Sequence, residues 1–141
     1  MKILLAVDGS SYTKKMLAYL AAHPEFLVDA TSITAFTVQP ALPPRARAAL
    51  GKTQADAFHA EEAAKVLDPV IRFLKRKGFN KPAAGWKVGQ AGETIAKFAE
   101  TGKFDLIIMG SHGNSALRNL VMGSVATKVL ANCKVPVLLV R

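Results

Sequence analysis

The feature that most constrains the fold is a regular alternation of short apolar runs with segments of helical periodicity. The apolar runs are nearly continuous, which is typical of strands buried on both faces of a parallel sheet. The predicted strands cover residues 2–7, 30–38, 84–88, 106–109 and 135–140, and the predicted helices cover residues 11–22, 54–77, 93–100 and 124–131. This order predicts an α/β fold in which helices cover both faces of a parallel sheet.

Proline and glycine residues refine this prediction at four places. Pro69 lies within the long predicted helix, so we expect a kink or a break there. Gly78 is expected to cap the end of that helix. Pro136 lacks an N–H group, which favours the start of a strand or an edge strand. Residues 40–52 are rich in Pro, Ala and Arg and are expected to form a mobile surface loop.

The size and charge of the chain narrow the class of its partners. Its 141 residues are expected to form one domain, residues 1–141, and half of them are hydrophobic, which is enough for a core. The formal net charge of +9 favours anionic partners, namely nucleotides, nucleic acids or acidic proteins. The basic residues are dispersed and are not interleaved with aromatic residues, so nucleic acid is the less favoured partner.

Cysteine content and hydropathy bear on the compartment. Cys133 is the one cysteine, which excludes an intramolecular disulfide and suits a reducing compartment. The apolar run at residues 3–7 is too short for a signal segment, and no run approaches the ~20 residues that span a membrane. We therefore expect a cytoplasmic protein that makes no membrane contact.

A glycine-rich turn follows the fourth predicted strand. Residues 110–113, Gly-Ser-His-Gly, come directly after that strand, and nine residues separate them from Gly123 and Ser124. Glycines here permit either a positive φ or a close approach of the backbone, so that N–H groups point at phosphate oxygens. Ser124 adds a hydroxyl at the start of a helix, whose N-terminus favours an anion. The alternative is that the glycines only end a strand and cap a helix.

Asp8 follows the first predicted strand and forms a second wall of the same crevice if the first and fourth strands are neighbours. Its structural roles would be to cap the following helix or to form a turn with Gly9. Its functional roles would be to hydrogen-bond a ribose hydroxyl or to hold Mg²⁺ near phosphates. His112 either donates to a phosphate or fills the turn. Arg118 is expected to face solvent, with a phosphate as its alternative partner.

Two segments resemble other nucleotide motifs without their context. Residues 51–53 match the end of a P-loop, but Ala46 stands where its first glycine belongs and a Pro-rich stretch precedes it. The turn at residues 89–92 lacks the full dinucleotide fingerprint and is expected to begin a helix. The three histidines are scattered and no Gly-x-Ser-x-Gly elbow occurs, so neither a zinc site nor a nucleophile elbow is predicted.

Three stretches together resemble the universal stress protein family over essentially the whole chain. Residues 2–10 are similar to the family's first strand and turn, residues 105–113 to its fourth strand and glycine turn, and residues 123–140 to its last helix and strand. The spacing G-x2-G-x9-G-[S/T] is the family's ATP-binding signature and is met in full. The family often has a basic residue soon after the second glycine, where this chain has Asn114 and Ser115.

The resemblance implies a fold, an assembly and a set of ligand contacts. The fold is a doubly wound, Rossmann-like parallel sheet of five strands in the order 3-2-1-4-5, and the assembly is a homodimer through the last strand. The residues implied to contact adenine and ribose are Ala6, Val7, Asp8 and Val38. The residues implied to hold ribose and phosphates are Met109, Gly110, His112, Gly113, Gly123, Ser124 and Val125.

Three functions fit these residues. The first is a stress-response or signalling module that binds ATP, with Mg²⁺ held by Asp8 through the phosphates. The second is a weak ATP hydrolase or phosphotransferase, for which the sequence offers only Asp8, His112 and Arg118 as reacting or charge-stabilising groups. The third is a nucleotide-free dimeric scaffold in which the glycines are structural.

Overall fold

The computed structural model describes residues 1–79, 81–113, 119 and 121–141 of the chain. Its strands are β1 (Lys2–Ala6), β2 (Ser32–Gln39), β3 (Ala83–Val88), β4 (Leu106–Gly110) and β5 (Val137–Val140). Its helices are α1 (Ser11–Ala22), α2 (Glu25–Val28), α3 (Pro44–Arg76), α4 (Ala91–Thr101) and α5 (Ser124–Asn132). Apart from the short α2, each of these elements was predicted, and most of their ends differ from prediction by no more than a few residues.

The strands form one parallel sheet in the order β3-β2-β1-β4-β5, which confirms the predicted topology. β1 lies at the centre, between β2 and β4. Its last residue, Ala6, is the register partner of Phe36 on β2 and of Met109 on β4. The chain segments that follow β1, β2 and β4 therefore leave the sheet at the same edge.

The apolar runs of the three central strands, β1, β2 and β4, are continuous because these strands bury side chains on both faces of the sheet. Ile3 and Leu5 of β1 belong to a core layer shared with α1 and α3. Leu4 and Ala6 belong to the opposite layer, shared with α4 and α5. Successive side chains of a strand point to opposite faces, so two covered faces require apolar residues at every position.

The prediction of a loop over residues 40–52 is wrong for most of that range, because α3 begins at Pro44. Proline suits the first turn of a helix, where an N–H group has no intrahelical partner, and Ala and Arg are strong helix formers. The helix is interrupted at Gly51, whose φ of 75° and ψ of 166° are accessible essentially to glycine alone.

Of the kink or break expected at Pro69, the break is wrong, since α3 continues through this residue and Gly51 is the residue with non-helical angles. Pro69 is exposed, whereas its neighbours Leu67 and Val70 are buried in the core. The carbonyl that loses its hydrogen bond to Pro69 belongs to Lys65, which also lies on the exposed side. Water can satisfy that carbonyl while the buried face holds the helix in place.

Two other predictions about helix and strand ends are confirmed. Gly78 follows α3 with a φ of 93°, and the Phe79 N–H donates to the Leu74 carbonyl at 3.0 Å, as in a Schellman cap. Pro136 directly precedes β5, which is an edge strand of the sheet. In the described ranges, even the long α3 lacks the apolar content of a membrane-crossing helix.

We predict that truncating either face of β1 destabilises the fold strongly. Leu4→Ala and Leu5→Ala each remove a fully buried side chain, one from each core layer, and each should lower the free energy of unfolding by about 2–5 kcal/mol. Leu130→Ala is the matched control because Leu130 is 45% exposed, and its cost should stay below about 1 kcal/mol. Urea denaturation measures all three, and a mild effect at Leu4 or Leu5 would contradict burial on both faces.

Candidate functional site

A cavity of about 230 Å³ opens at the carboxyl ends of the strands, between the segments that follow β1 and β4. Its lining includes every residue that the family resemblance implied as a ligand contact. Those residues are Ala6, Val7, Asp8, Val38, Met109, Gly110, His112, Gly113, Gly123, Ser124 and Val125. The structure thus brings the two predicted walls of the crevice together.

Four further residues line the cavity and were not predicted, namely Thr13, Ala91, Ile95 and Ala126. Ala91 and Ile95 lie on α4, and Ile95 also packs in the core layer beneath it. An apolar residue on a helix face gives no signal that separates a cavity wall from a core position. Thr13 carries a signal that was overlooked, because a buried hydroxyl one helical turn after an N-cap needs a partner.

Asp8 is part of both the turn after β1 and the cavity lining. Its Oδ1 atom accepts hydrogen bonds from the Ser10 N–H at 2.9 Å and from the Thr13 hydroxyl at 3.0 Å. The Thr13 hydroxyl also accepts from the Asp8 N–H at 3.1 Å, and Gly9 between them has a φ of 77°. These bonds fix the carboxylate in one orientation. Ser10 is the N-cap residue of α1, so Asp8 forms a turn and does not cap the helix.

The glycines of the signature are required by close approach and not by a positive φ. A Cβ atom on Gly113 would lie 2.7 Å from the Asp8 Oδ2 atom, and one on Gly110 would lie 2.6 Å from the Tyr12 Cβ atom. A Cβ atom on Gly123 would lie 3.1 Å from backbone atoms of residues 111 and 112. None of the three has a φ in the left-handed region, so only the close-approach alternative holds.

The N-terminus of α5 faces the cavity. Gly123 is the N-cap residue and donates its own N–H to the Ser111 carbonyl at 2.7 Å, which ties the two glycine segments together. Ser124, Val125 and Ala126 follow in the first turn and line the cavity. Their N–H groups have no acceptor within the helix, and the helix dipole adds partial positive charge at this end.

His112 is held by its neighbours on two sides. Its Nδ1 atom lies 2.9 Å from the Ser111 hydroxyl oxygen, and its ring lies 4.9 Å from the Tyr12 ring at an angle of 35°. Ser111 is buried, so this pair is shielded from bulk water. The histidine therefore presents a positioned ring to the cavity instead of a freely rotating one.

The two ends of the cavity differ in polarity. Apolar side chains of Ala6, Val38, Ile95 and Met109 form one end, and the glycine segments with the α5 N-terminus form the other. Within the described part of the lining there is no lysine or arginine, so backbone N–H groups and the Ser124 hydroxyl are donors available to an anion there. Arg118, Asn114 and Ser115 lie outside the described residues.

Metal ligation by protein side chains alone is not supported in the described ranges. They contain no group of three His, Cys, Asp or Glu residues placed to hold one ion. Asp8 is the one acidic residue among the described lining residues, so a cation at this point would take most of its oxygen ligands from water or from a bound molecule.

The chain is similar to proteins of known family. A relative from Synechocystis sp., universal stress protein Slr1230, is 34% identical over 140 residues, which cover 99% of this chain and 42% of the relative. The chain thus spans less than half the length of that relative. The solved structure of protein MJ0577 matches 99% of this chain and 94% of its own, with 27% identity and a TM-score of 0.77.

Two more distant structures share the fold. A universal stress protein solved in complex with cAMP has a TM-score of 0.66 and 21% identity, covering 99% of this chain and 95% of its own. A family member from Arabidopsis thaliana with AMP bound has a TM-score of 0.65 and 15% identity, covering 99% and 91%. The sequence pattern of the universal stress protein family itself matches residues 1–141, and the chain belongs to that family.

Proposed function

We propose that the cavity binds an adenine nucleotide, with ATP as its ligand, and that occupancy serves a stress-response or signalling role. The observation that carries this proposal is the pairing of an apolar cavity end with a glycine-walled end at a helix N-terminus. A nucleotide has the same polarity, with a flat base at one end and an anion at the other. The solved relatives with cAMP and AMP support adenine as the base.

The apolar end suits the base. Val38 reaches the cavity from the end of β2, and Ala6 and Met109 form its floor as register partners on β1 and β4. Ile95 covers the opposite side from α4. Burying an adenine ring between small aliphatic side chains removes apolar surface from water, which stabilises the complex.

The glycine end suits the phosphates. Backbone at Gly110, Gly113 and Gly123 lies too close to other atoms for side chains, and this closeness lets the N–H groups of two segments converge. The Ser124 hydroxyl and the first-turn N–H groups of α5 add donors at the same end. This arrangement binds an anion through fixed dipoles and needs no cationic side chain.

Asp8 is proposed to accept a hydrogen bond from a ribose hydroxyl. It lines the cavity beside Gly113, and we place the sugar of the nucleotide against it. A carboxylate near phosphates is unfavourable unless a hydroxyl or a metal stands between them. The competing proposal is that Asp8 holds Mg²⁺ through the nucleotide's phosphates.

The described lining favours binding over turnover. A phosphoryl transfer site needs a base for the nucleophile and cations at the γ-phosphate. Asp8 is already oriented by Ser10 and Thr13, and no lysine or arginine is present in the described part of the lining. ATP recovered unchanged after incubation with the protein would agree with a binding function, whereas steady phosphate release would favour the hydrolase alternative.

We also propose a homodimer through β5. This strand is at the edge of the sheet, so one side of its backbone has no neighbouring strand within the described sheet. Its side chains Val137, Leu138 and Leu139 are only partly buried. An edge with apolar residues and unpaired backbone groups is a site for strand addition by a second copy.

We predict that Gly113→Ala abolishes or strongly weakens ATP binding. The new Cβ atom would lie 2.7 Å from the Asp8 Oδ2 atom, so either the carboxylate or the turn must move. Isothermal titration calorimetry with Mg-ATP should show a loss of about tenfold or more, the size expected for one charge-assisted hydrogen bond. The matched control is Gly85→Ala on β3, whose Cβ atom would make an ordinary 3.5 Å contact with Phe36.

The outcomes of this titration distinguish a wrong ligand from a wrong binding site. If the wild-type protein binds neither ATP nor AMP, the proposed function is wrong. If it binds ATP but Gly113→Ala and Gly85→Ala bind it equally well, the nucleotide lies elsewhere. Circular dichroism of both variants confirms that the fold is retained.

We predict that Asp8→Asn weakens adenosine and ATP by the same factor, about tenfold, because a ribose contact is common to both ligands. Asparagine keeps an oxygen that can accept from the Ser10 N–H, so the turn is preserved. Competition binding with adenosine, with ATP in EDTA and with Mg-ATP provides the measurement. A loss confined to Mg-ATP would contradict the ribose contact and support the Mg²⁺ alternative.

We predict that Val137→Lys converts the dimer to a monomer, because a lysine on an edge strand opposes pairing with a second copy. Val28→Lys is the matched control, since Val28 is 80% exposed on α2 and away from this edge. Sedimentation velocity over a range of concentrations measures the oligomeric state of the wild-type protein and of both variants. A monomeric wild-type protein, or a dimer that survives Val137→Lys, would contradict pairing through β5.

A further inference from the structure

A second cavity, of about 290 Å³, lies between the start of α3, the segment that precedes it and the end of β3. It shares no described lining residue with the nucleotide cavity. The lining residues are Ala41, Leu42, Arg47, Lys52, Ala55, Asp56, His59 and Val88.

Three polar residues of α3 face this cavity along one stripe of the helix. Lys52, Asp56 and His59 are separated by four and three residues, which is the spacing of one helix face. Arg47 would not join them on an uninterrupted helix, because five residues turn the chain by about 140° relative to Lys52. The break at Gly51 brings both cations to the same cavity.

The charges around the cavity are not neutralised by ion pairs. Among the described residues, the ion pairs are His23–Glu25 and Lys65–Glu62, so Arg47, Lys52 and Asp56 form none. Two cations and one carboxylate leave an excess of positive charge at the cavity mouth. Side chains with a net positive charge around a concave surface raise the local concentration of anions from solution.

His59 is a buried residue of the same cavity lining. The residue is only 5% exposed, and its Nδ1 atom is buried without a hydrogen-bond partner in the described residues. Its ring packs near the rings of Phe58 and Trp86, with centroids 5.7 and 6.5 Å away. That nitrogen is closed to the cavity as well as to solvent, so contact between His59 and a ligand would come from the rest of the ring.

The opposite wall of the cavity is apolar. Leu42 and Val88 line it, and Val88 is 41% exposed although it is a large hydrophobic residue. A ligand with both an anionic group and a short apolar part would contact both walls. Inorganic ions alone would leave the apolar wall in water.

We propose that this second cavity binds a small organic oxyanion, a carboxylate or phosphate that carries a short apolar group, between Arg47, Lys52 and His59. The cations hold the oxyanion, for which the arginine fork matches two oxygens at once. Leu42 and Val88 cover the apolar part. Because the two cavities share no described lining residue, this proposal stands whether or not the first cavity binds a nucleotide.

The test is a site-resolved NMR titration of the full chain. Acetate, butyrate and inorganic phosphate are added separately at constant ionic strength balanced with sodium chloride. We expect saturable shifts of the His59 ring signals and of the Lys52 and Val88 amides, with butyrate binding several-fold more tightly than acetate. Comparison of acetate with phosphate decides which oxyanion is preferred, and amides at Gly113 and Gly123 report separately on the first cavity.

Matched variants test the geometry. Arg47→Gln should weaken the preferred probe by about tenfold, as expected for loss of a charge-assisted pair. Arg45→Gln changes the net charge equally at an exposed residue outside the cavity and should leave the affinity within about twofold. Gly51→Ala keeps every charge but disfavours the break, so it should weaken binding as Arg47→Gln does.

Two results would overturn the proposal. One is a set of shifts that rise linearly with concentration and match those caused by sodium chloride, which indicates screening alone. The other is equal loss of affinity in Arg45→Gln and Arg47→Gln, which indicates non-specific attraction to a basic surface. His59→Phe keeps the ring packing beside Trp86 and removes the ring nitrogens, and unchanged affinity in that variant would exclude the histidine from the site.

Discussion

The arrangement of the whole site depends on the burial of β1 between two strands and two helix layers. Its register places Ala6 beside Phe36 on one side and Met109 on the other. Because these partners are fixed, the residues that follow them emerge together, with Asp8 opposite Gly113 across the crevice. A shift of register by one residue would turn every side chain of the strand to the wrong core layer, so packing protects the site geometry.

Close contact between the two turns explains why glycine is needed at the far wall. The Gly113 backbone lies against the Asp8 carboxylate, and the Gly123 backbone lies against residues 111 and 112. The Gly123 N–H also donates to the Ser111 carbonyl, so one hydrogen bond joins the segments that a phosphate would bridge. This wall is therefore built before any ligand arrives, and a preformed wall reduces the entropy that the proposed nucleotide would lose on binding.

The sequence was sufficient for those features that repeat a physical pattern over several residues. Continuous apolar runs indicated a sheet covered on both faces, and the glycine spacing indicated the wall of the crevice. It was insufficient where the structural preference of one residue conflicted with that of its neighbours. In residues 40–52 the prolines were interpreted as a loop, although Ala and Arg favour a helix. At Pro69 the missing N–H group was given more weight than the buried face of the helix at Leu67 and Val70. Ile95 was missed because a cavity wall and a core face have the same helical period.

The positive charge of the chain and the two anion sites proposed for it have to be considered separately. A net charge of +9 favours anions near the surface, yet the described wall of the first cavity contains no lysine or arginine. Backbone dipoles there act over short distances, so they favour a ligand whose shape fits the cavity. The charges of Arg47 and Lys52 at the second cavity act at longer range, so they favour a ligand by its negative charge. Added salt should therefore weaken oxyanion binding at the second cavity more than nucleotide binding at the first, because screening acts mainly on exposed charges.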